Sequence, residues 1–288
     1  MSELQITSFS NPRVKHAVKL RQRSYRAETG LMLIEGYREC RRALDNGYQP
    51  HQLFTCEQLY LKNLNEPEIV ACCREAGAEI LACPAAIFSK LAYRERPEGL
   101  LMIGPHVAQQ LCDLKLPEHA LVVVAEAVEK PGNLGTILRS ADAAGVHAVI
   151  VCDRCTDIHN PNVVRASTGT LFSMPVAEAT GDEALAFLHE RQFRILAATP
   201  HATLLHTEAP LSGQVALAIG SEQYGLSARW MEAADLRVRI PMLGVADSLN
   251  VASATTILLF EALRQRLAAG QAHVPQPEPW HGEATHDA

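Results

Sequence analysis

Several things are missing from this 288-residue chain, and each absence removes a class of function. No apolar run approaches the ~18 residues that mark a membrane span. The opening stretch, MSELQITSFSNPRVKH, holds no apolar signal segment. A cytoplasmic protein with no membrane attachment is therefore expected, with its eight cysteines as thiols rather than disulfides. Cys152 and Cys155 form the only CxxC; no second pair lies at zinc-site spacing, no His pair follows, and Cys72 and Cys73 are adjacent. No metal site is expected. The phosphate-cradling GxxxxGK[ST] is absent and no GxGxxG follows a strand, which speaks against a kinase or a dehydrogenase. Nor is the chain basic: its net charge is −6, which taken alone argues against a general nucleic-acid binder.

The charge that is present is unevenly placed. Residues 1–42 hold nine Lys/Arg (among them Arg13, Lys15 and Lys19) against four acids, on an otherwise acidic body. That asymmetry fits either a phosphate-binding face or a solvated helix face. Hydrophobic residues make up 48% of the chain, enough for buried cores, and the length suits two domains. Through residue 104 short apolar strands (31–34, 51–56, 79–83, 99–104) alternate with helical segments (11–23, 36–46, 66–76, 85–91), the pattern of a small α/β layer domain. Residues 105–119, polar and bounded by Pro105 and Pro117, read as a linker. A second α/β series fills 120–269. Its strands at 121–125 and 215–219 are continuous apolar runs, the mark of burial on both faces of a parallel sheet. Such a sheet binds ligands beyond the carboxyl ends of its strands. The tail, 270–288, is rich in Pro and Gly with no Lys or Arg and is expected to be disordered.

Three stretches of the second series carry polar residues where strands or loops enter helices. The first is Asn133-Leu-Gly135-Thr-Ile-Leu-Arg139, in a helix expected over 132–144; Asn133 is placed to cap it, and Arg139 follows six residues later. The second, Ile219-Gly220-Ser221-Glu222-Gln-Tyr-Gly225, is a strand ending in glycine, so that backbone can touch a ligand; an ordinary turn explains it equally. The third, IPMLGVADSLNVASATTILLFEALRQR from Ile240, runs through a glycine loop into Ser248-Leu249-Asn250 and then a helix. Ser and Asn there either cap the helix or share its free N–H groups with a ligand.

Taken together and in this order, NLGTILRSADAAG, IGSEQYGLS and the stretch from Ile240 resemble the three motifs of the SpoU (TrmH-like) RNA ribose 2′-O-methyltransferases, over residues 120–267. NVVRASTGTLFSMP, from Asn162, resembles the segment between the first two. SNPRVK and LMLIEGYRECRRAL resemble, more weakly, the small RNA-binding domain related to ribosomal protein L30e that precedes the catalytic domain in many members. The resemblance implies an α/β fold with a trefoil-knotted, SPOUT-type parallel-sheet domain behind an L30e-like domain. It implies a homodimer joined through the knotted domain. S-adenosylmethionine is the implied methyl donor, against Gly220, Ile240 and Leu249, with Thr199, Ser221, Met242 and Ser248 as neighbours. Catalysis is implied at Arg139, with Asn133, Glu222, Ser248 and Asn250 around it. The implied partner is RNA, ribosomal rather than transfer RNA, held by Arg13, Lys15, Arg139 and Arg165.

The implied reaction is attack of a ribose 2′-oxygen on a sulfonium methyl group. No histidine lies in the three motifs to take the hydroxyl proton, and a guanidinium is a poor base. Two roles for Arg139 stay open: proton acceptor assisted by a substrate phosphate, or electrostatic stabiliser of the developing alkoxide. RNA rather than DNA follows from the 2′-hydroxyl. A tRNA methyltransferase, and a non-catalytic RNA-binding protein that kept the fold, are the competing readings.

Overall fold

The computed structural model describes residues 3–61, 64–153 and 155–275. The tail read as disordered lies outside them from residue 276 onward, while Gln271 accepts from the Gly213 amide at 2.8 Å. The first sheet holds β1 (Leu4–Gln5), β2 (Leu31–Glu35), β3 (Gln52–Thr55), β4 (Glu79–Ala82) and β5 (Leu100–Pro105). Between them run α1 (Pro12–Lys19), α2 (Arg23–Thr29), α3 (Tyr37–Asp45), α4 (Glu66–Glu75) and α5 (Ala85–Leu91). Its order is β1-β4-β3-β5-β2, with β5 antiparallel to both neighbours and the remaining pairs parallel.

The second sheet holds β6 (Leu121–Glu126), β7 (Ala148–Cys152), β8 (Val176–Ala179), β9 (Arg194–Ala198), β10 (Leu204–Leu205), β11 (Val215–Ile219) and β12 (Leu236–Arg239). Its helices are α6 (Pro131–Ala143), α7 (Pro161–Ala166), α8 (Gly181–Glu190), α9 (Ala228–Ala233) and α10 (Val251–Ala268). Every pairing is parallel, in the order β10-β12-β9-β11-β6-β7-β8. Every residue of β6, β7 and β11 is buried, as continuous apolar runs require when helices cover both faces. The fold class is α/β with a parallel sheet, which the alternation of apolar runs and helical periods implied.

Local chemistry explains most element boundaries. Asn11 accepts from the Arg13 amide with Pro12 at the first turn of α1, and Thr180 and Glu183 form a reciprocal capping box on α8. The basic segment expected as one helix over 11–23 is two. The chain turns between α1 and α2, which lets Leu20 join the core while Arg26 also points inward. The helix expected from residue 132 begins at Pro131 with Lys130 as its cap, so Asn133 lies inside the first turn and does not cap. Proline suits that first position because its missing N–H would be unpaired there anyway.

The two sheets share a core. One apolar cluster runs without interruption from Met32, Ile34 and Leu53 to Val123, Leu138 and Leu217, and separate clusters fill the outer face of each sheet. Tyr48 meets Phe172 edge-on at 5.2 Å across this junction. Polar groups tie it as well. Arg26, 1% exposed, donates from Nε and Nη2 to Asp157 at 2.9 and 2.6 Å and from Nη1 to the Leu20 and Arg21 carbonyls. His106 stacks on His159 at 3.7 Å. The stretch read as a linker is itself secured: the Gln109 amide donates to Val176 O at 3.0 Å, and Leu114 is buried.

Candidate active site

The carboxyl ends of β9, β11 and β12 open onto a pocket of about 700 Å³, closed on its remaining side by the loop from Ile240 to Asn250 and the first turn of α10. This is where a parallel sheet of this kind places ligands. Beyond β9, the Thr199 amide donates to Val238 O at 3.0 Å. Beyond β11, Ser221 and Gly225 exchange backbone hydrogen bonds at 3.0 and 3.1 Å, curling residues 221–225 into a tight turn. That turn is why residue 220 is glycine: a Cβ there would lie 2.1 Å from the Gly225 carbonyl carbon and 2.2 Å from the Leu226 amide. The space a side chain would need is filled by the protein's own backbone. Glu126, buried at the end of β6, accepts from the Ser227 amide at 2.7 Å and hydroxyl at 2.6 Å and anchors the far side of the same turn.

All seven residues expected around a methyl donor, Thr199, Gly220, Ser221, Ile240, Met242, Ser248 and Leu249, line this pocket. Glu222 and Asn250 line it as well. Asn250 takes the capping role left open for it and adds a contact across the site. Its side-chain oxygen caps α10 through the Ala252 and Ser253 amides, while its Nδ2 donates to Asn133 Oδ1 at 3.1 Å. Asn133 Nδ2 in turn donates to Glu222 Oε1 at 2.5 Å. One chain of side chains thus links the three motifs. Glu222 also accepts from the Glu129 and Lys130 amides just ahead of α6. Partial burial pushes its carboxyl up, but the amides of Glu129 and Lys130 and the Asn133 side chain outweigh it and hold it below the usual range. Glu222 is therefore an ionised acceptor with occupied lone pairs, suited to fixing the loops and poorly suited to taking a proton.

The expected arginines stand apart from the pocket. Arg139 is exposed on α6 and has no hydrogen-bond or ion-pair partner among the described residues. Its helix is held against α10 by the Ser140–Thr256 hydroxyl contact at 2.7 Å. Arg165, also exposed, lies on α7 and lines a separate groove. On α1, Arg13 is committed to Glu79 through Nε at 3.0 Å and Nη2 at 2.5 Å, and Lys15 is exposed. The basic segment is largely structural: Arg21 holds the Lys90–Ala92 carbonyls, Arg26 holds Asp157, Arg41 pairs with Asp45 and Glu68, and Arg42 donates to Thr168.

Sequence reasoning passed over Glu126, Lys130, His201 and Arg239. The last three line the pocket. Glu126 had a signal, an acid closing an otherwise apolar strand. His201 and Arg239 lie outside the quoted polar positions and reach the pocket only because β9 and β12 are neighbours.

Comparison with known proteins covers most of the chain. Residues 120–260 match the SpoU rRNA Methylase family, and residues 11–102 match the MRM3-like substrate binding domain. The chain is 31% identical over 266 residues to a 23S rRNA (uridine(2479)-2′-O)-methyltransferase of Streptomyces viridochromogenes, covering 89% of this chain and 90% of the relative. It is 30% identical over 257 residues to the Bacillus subtilis 23S rRNA (guanosine(2553)-2′-O)-methyltransferase RlmP, covering 89% and 98%. Among solved structures, an AdoMet-bound rRNA methyltransferase from Sinorhizobium meliloti superposes with a TM-score of 0.82 at 31% identity, covering 90% of this chain and 97% of that one. An RNA 2′-O ribose methyltransferase superposes at 0.81 with 42% identity, covering 92% and 100%.

Proposed function

The chain belongs to the SpoU rRNA methylase family, and from that premise we propose how its residues divide the work. It is an S-adenosylmethionine-dependent methyltransferase acting on a ribose 2′-hydroxyl of ribosomal RNA. The observation that carries the assignment of roles is the meeting of three strand ends and the Ile240–Asn250 loop around one pocket, cross-braced by Asn133, Glu222 and Asn250.

The pocket suits the donor. Its volume of about 700 Å³ falls in the range of small-molecule sites. Ile240 and Leu249 offer apolar walls for a purine, and the turn at Ser221 offers backbone groups for its edge. Ionised Glu222 places a negative charge near a cationic sulfonium, while Lys130 and Arg239 suit a carboxylate. When bound, the donor supplies an electrophilic methyl group on a good leaving sulfur. The ribose oxygen would take that methyl group, leaving the electron pair of the broken S–C bond on sulfur and releasing the hydroxyl proton to solvent. Arg139 is assigned to that oxygen. Its free guanidinium on a helix braced against α10 favours electrostatic stabilisation of the alkoxide. Ser248 lies on the loop side of the same pocket, among exposed side chains, where it is assigned to meet substrate.

A homodimer is part of this reading. Leu243 and Val245 are fully exposed, Tyr224 is 79% exposed, and Phe260 adds a further apolar side chain on α10. Large apolar side chains left exposed beside a site support an interface there. A second copy covering it would place the pocket and Arg139 at the junction. The knot implied by the motifs belongs to the same reading, and β11 inserted between β6 and β9, with α10 lying back on α6, supports it. Residues 1–104 are proposed as the RNA-reading part, 105–119 as the connection and 120–269 as the methyltransferase part. Lys15 contacts phosphate at the periphery and Arg13 contributes through its pairing with Glu79. Among the described residues no helix is long and apolar enough to cross a membrane, and the cytoplasm is the proposed location of a protein that modifies ribosomal RNA. Mapping 2′-O-methyl sites in total RNA with and without the gene tests the function: one ribosomal ribose methyl should vanish, and an unchanged map would refute it.

A further inference from the structure

A second cavity lies where the two sheets meet. It has a volume of about 980 Å³, and its walls include Arg38, Tyr93, Arg94 and Arg96 from the first sheet's side and Arg165 and Thr168 from the α7 side. Arg94 is spent on the floor, paired with Glu39 at 2.6 Å and with Glu98. Arg38, Arg96 and Arg165 are exposed and have no partner among the described residues; the one uncommitted carboxylate beside them is Glu95. The cavity therefore presents a net positive rim although the whole chain carries −6.

Tyr93 stands in that rim with 40% of its surface open. Both its ends are pinned. Its amide donates to Glu35 at 2.6 Å, and its hydroxyl accepts from Asn162 Nδ2 of α7 at 2.9 Å. A ring so held is a pre-formed flat platform with its position set by both halves of the molecule. The groove also leads toward the chemistry. Helix α7 lies against α6 so closely that a Cβ on Gly135 would come within 2.6 Å of the Ala166 Cβ and 2.7 Å of the Val163 carbonyl oxygen. Arg165 adjoins that contact on α7, and Arg139 lies one turn beyond it on α6.

We propose that this groove binds a single-stranded RNA segment flanking the methylated nucleotide, one base stacked on Tyr93 and its phosphates held by Arg38, Arg96 and Arg165. The proposal rests on the ribosomal RNA methyltransferase reading above. Guanidiniums without partners match phosphates, and an open tyrosine face is of use only to a base that is not already stacked in a duplex.

The test is fluorescence anisotropy of the full chain with a short labelled single-stranded RNA of mixed sequence, over a salt series. Each of Arg38→Ala, Arg96→Ala and Arg165→Ala should flatten the salt slope by about 0.7. The triple charge reversal to Glu should nearly abolish binding while melting temperature and donor affinity stay at wild-type values. Tyr93→Ala should weaken binding by about 5- to 150-fold, the range for losing one stacked base. Tyr93→Phe, which keeps the ring and loses the bond to Asn162, should stay within a few fold of wild type. An acidic polypeptide site would feel the arginine changes and ignore Tyr93→Ala, so RNA affinity indifferent to Tyr93→Ala overturns the proposal, as does an unchanged affinity in the triple variant. Methylation of ribosomal RNA by the wild-type protein, assayed in parallel, decides the enzyme reading separately. Its absence would sink that reading, whereas unchanged RNA affinity in the triple variant of an active enzyme would sink the groove alone.

Discussion

Single residues in this site mostly hold one another, and few are left over for substrate. Glu222 spends its lone pairs on the Glu129 and Lys130 amides and on Asn133, and Asn133 spends its oxygen on Asn250. Among the described residues, Arg139 is the uncommitted charge on α6. Gly220 shows why a residue's position in a motif does not reveal its task. Any side chain there would strike the backbone at Gly225 and Leu226, so substitution would remodel the turn rather than merely obstruct a ligand. A cleaner probe of the pocket is Ala254, half-buried on the first turn of α10 and lining the cavity. Ala254→Phe should place a ring in the space proposed for the donor and weaken S-adenosylmethionine binding by about 100-fold, equivalent to about 2.8 kcal/mol. Calorimetry on a variant of wild-type melting temperature checks it; unchanged affinity would move the donor elsewhere.

At the scale of elements, the packing of α6 on α7 sets where Arg139 stands. Gly135 lets the helices touch, and Gly135→Ala should cost about 1–3 kcal/mol of stability through overpacking, with a loss of turnover as α6 shifts. Denaturant unfolding checks the first part; an Ala variant as stable as wild type would show that the helices part freely. Patterns of this kind were legible in the chain where chemistry is local. The apolar runs at β6 and β11 announced buried strands, and Asn250 ahead of an apolar helix announced its cap. The short edge strands β1, β8 and β10 were not legible, because two to four residues are too few to carry a period. The start of α6 was misplaced by one residue, and Asn133, which looks like a cap, lies inside the first turn behind Pro131. The Glu126–Ser227 anchor joins residues 101 apart in sequence, and no local pattern encodes such a pair. The meeting of the three motifs at one pocket was legible only through resemblance to a family, since spacing alone does not say which strand ends are neighbours.

At the scale of the whole molecule, two α/β layers behave as one body because a buried ion pair and a continuous apolar cluster join them. Arg26, read from its neighbours as part of a basic surface, is the principal strut. Burial pushes Asp157 up, but hydrogen bonds from His159 and Arg26 overcome this and hold it far below its ordinary value. Arg26→Ala should destabilise the protein by about 3–5 kcal/mol, the cost of leaving a buried carboxylate unpaired. Thermal unfolding measures this, and a loss below about 1 kcal/mol, the level of an exposed pair, would mean that the pair does not bear on the junction. Acid should loosen the molecule well before Asp157 protonates. His16, His106 and His147 are each held below the usual histidine value by burial first, then by Lys19, His159 and Arg266 respectively. His147 must stay neutral to accept the Leu121 amide through Nδ1 at 3.0 Å. A lowered folded value means that the unfolded chain takes up the proton first. Stability is therefore full above about pH 6.5 and falls as the pH drops below it. Melting temperatures from pH 8 to pH 5 should decline over the lower half of that range, and a rise there would reverse the assigned sign. This chain methylates a ribosomal ribose, and Arg139 is proposed to act at the oxygen. Single-turnover transfer of labelled methyl from S-adenosylmethionine to ribosomal RNA that lacks the modification, comparing wild type with Arg139→Ala, tests it most directly. One 2′-O-methylated nucleotide is expected with the wild-type protein, and a rate about 10²- to 10³-fold lower in the variant at unchanged donor affinity; equal rates, or label on a base instead of a ribose, would overturn the assignment.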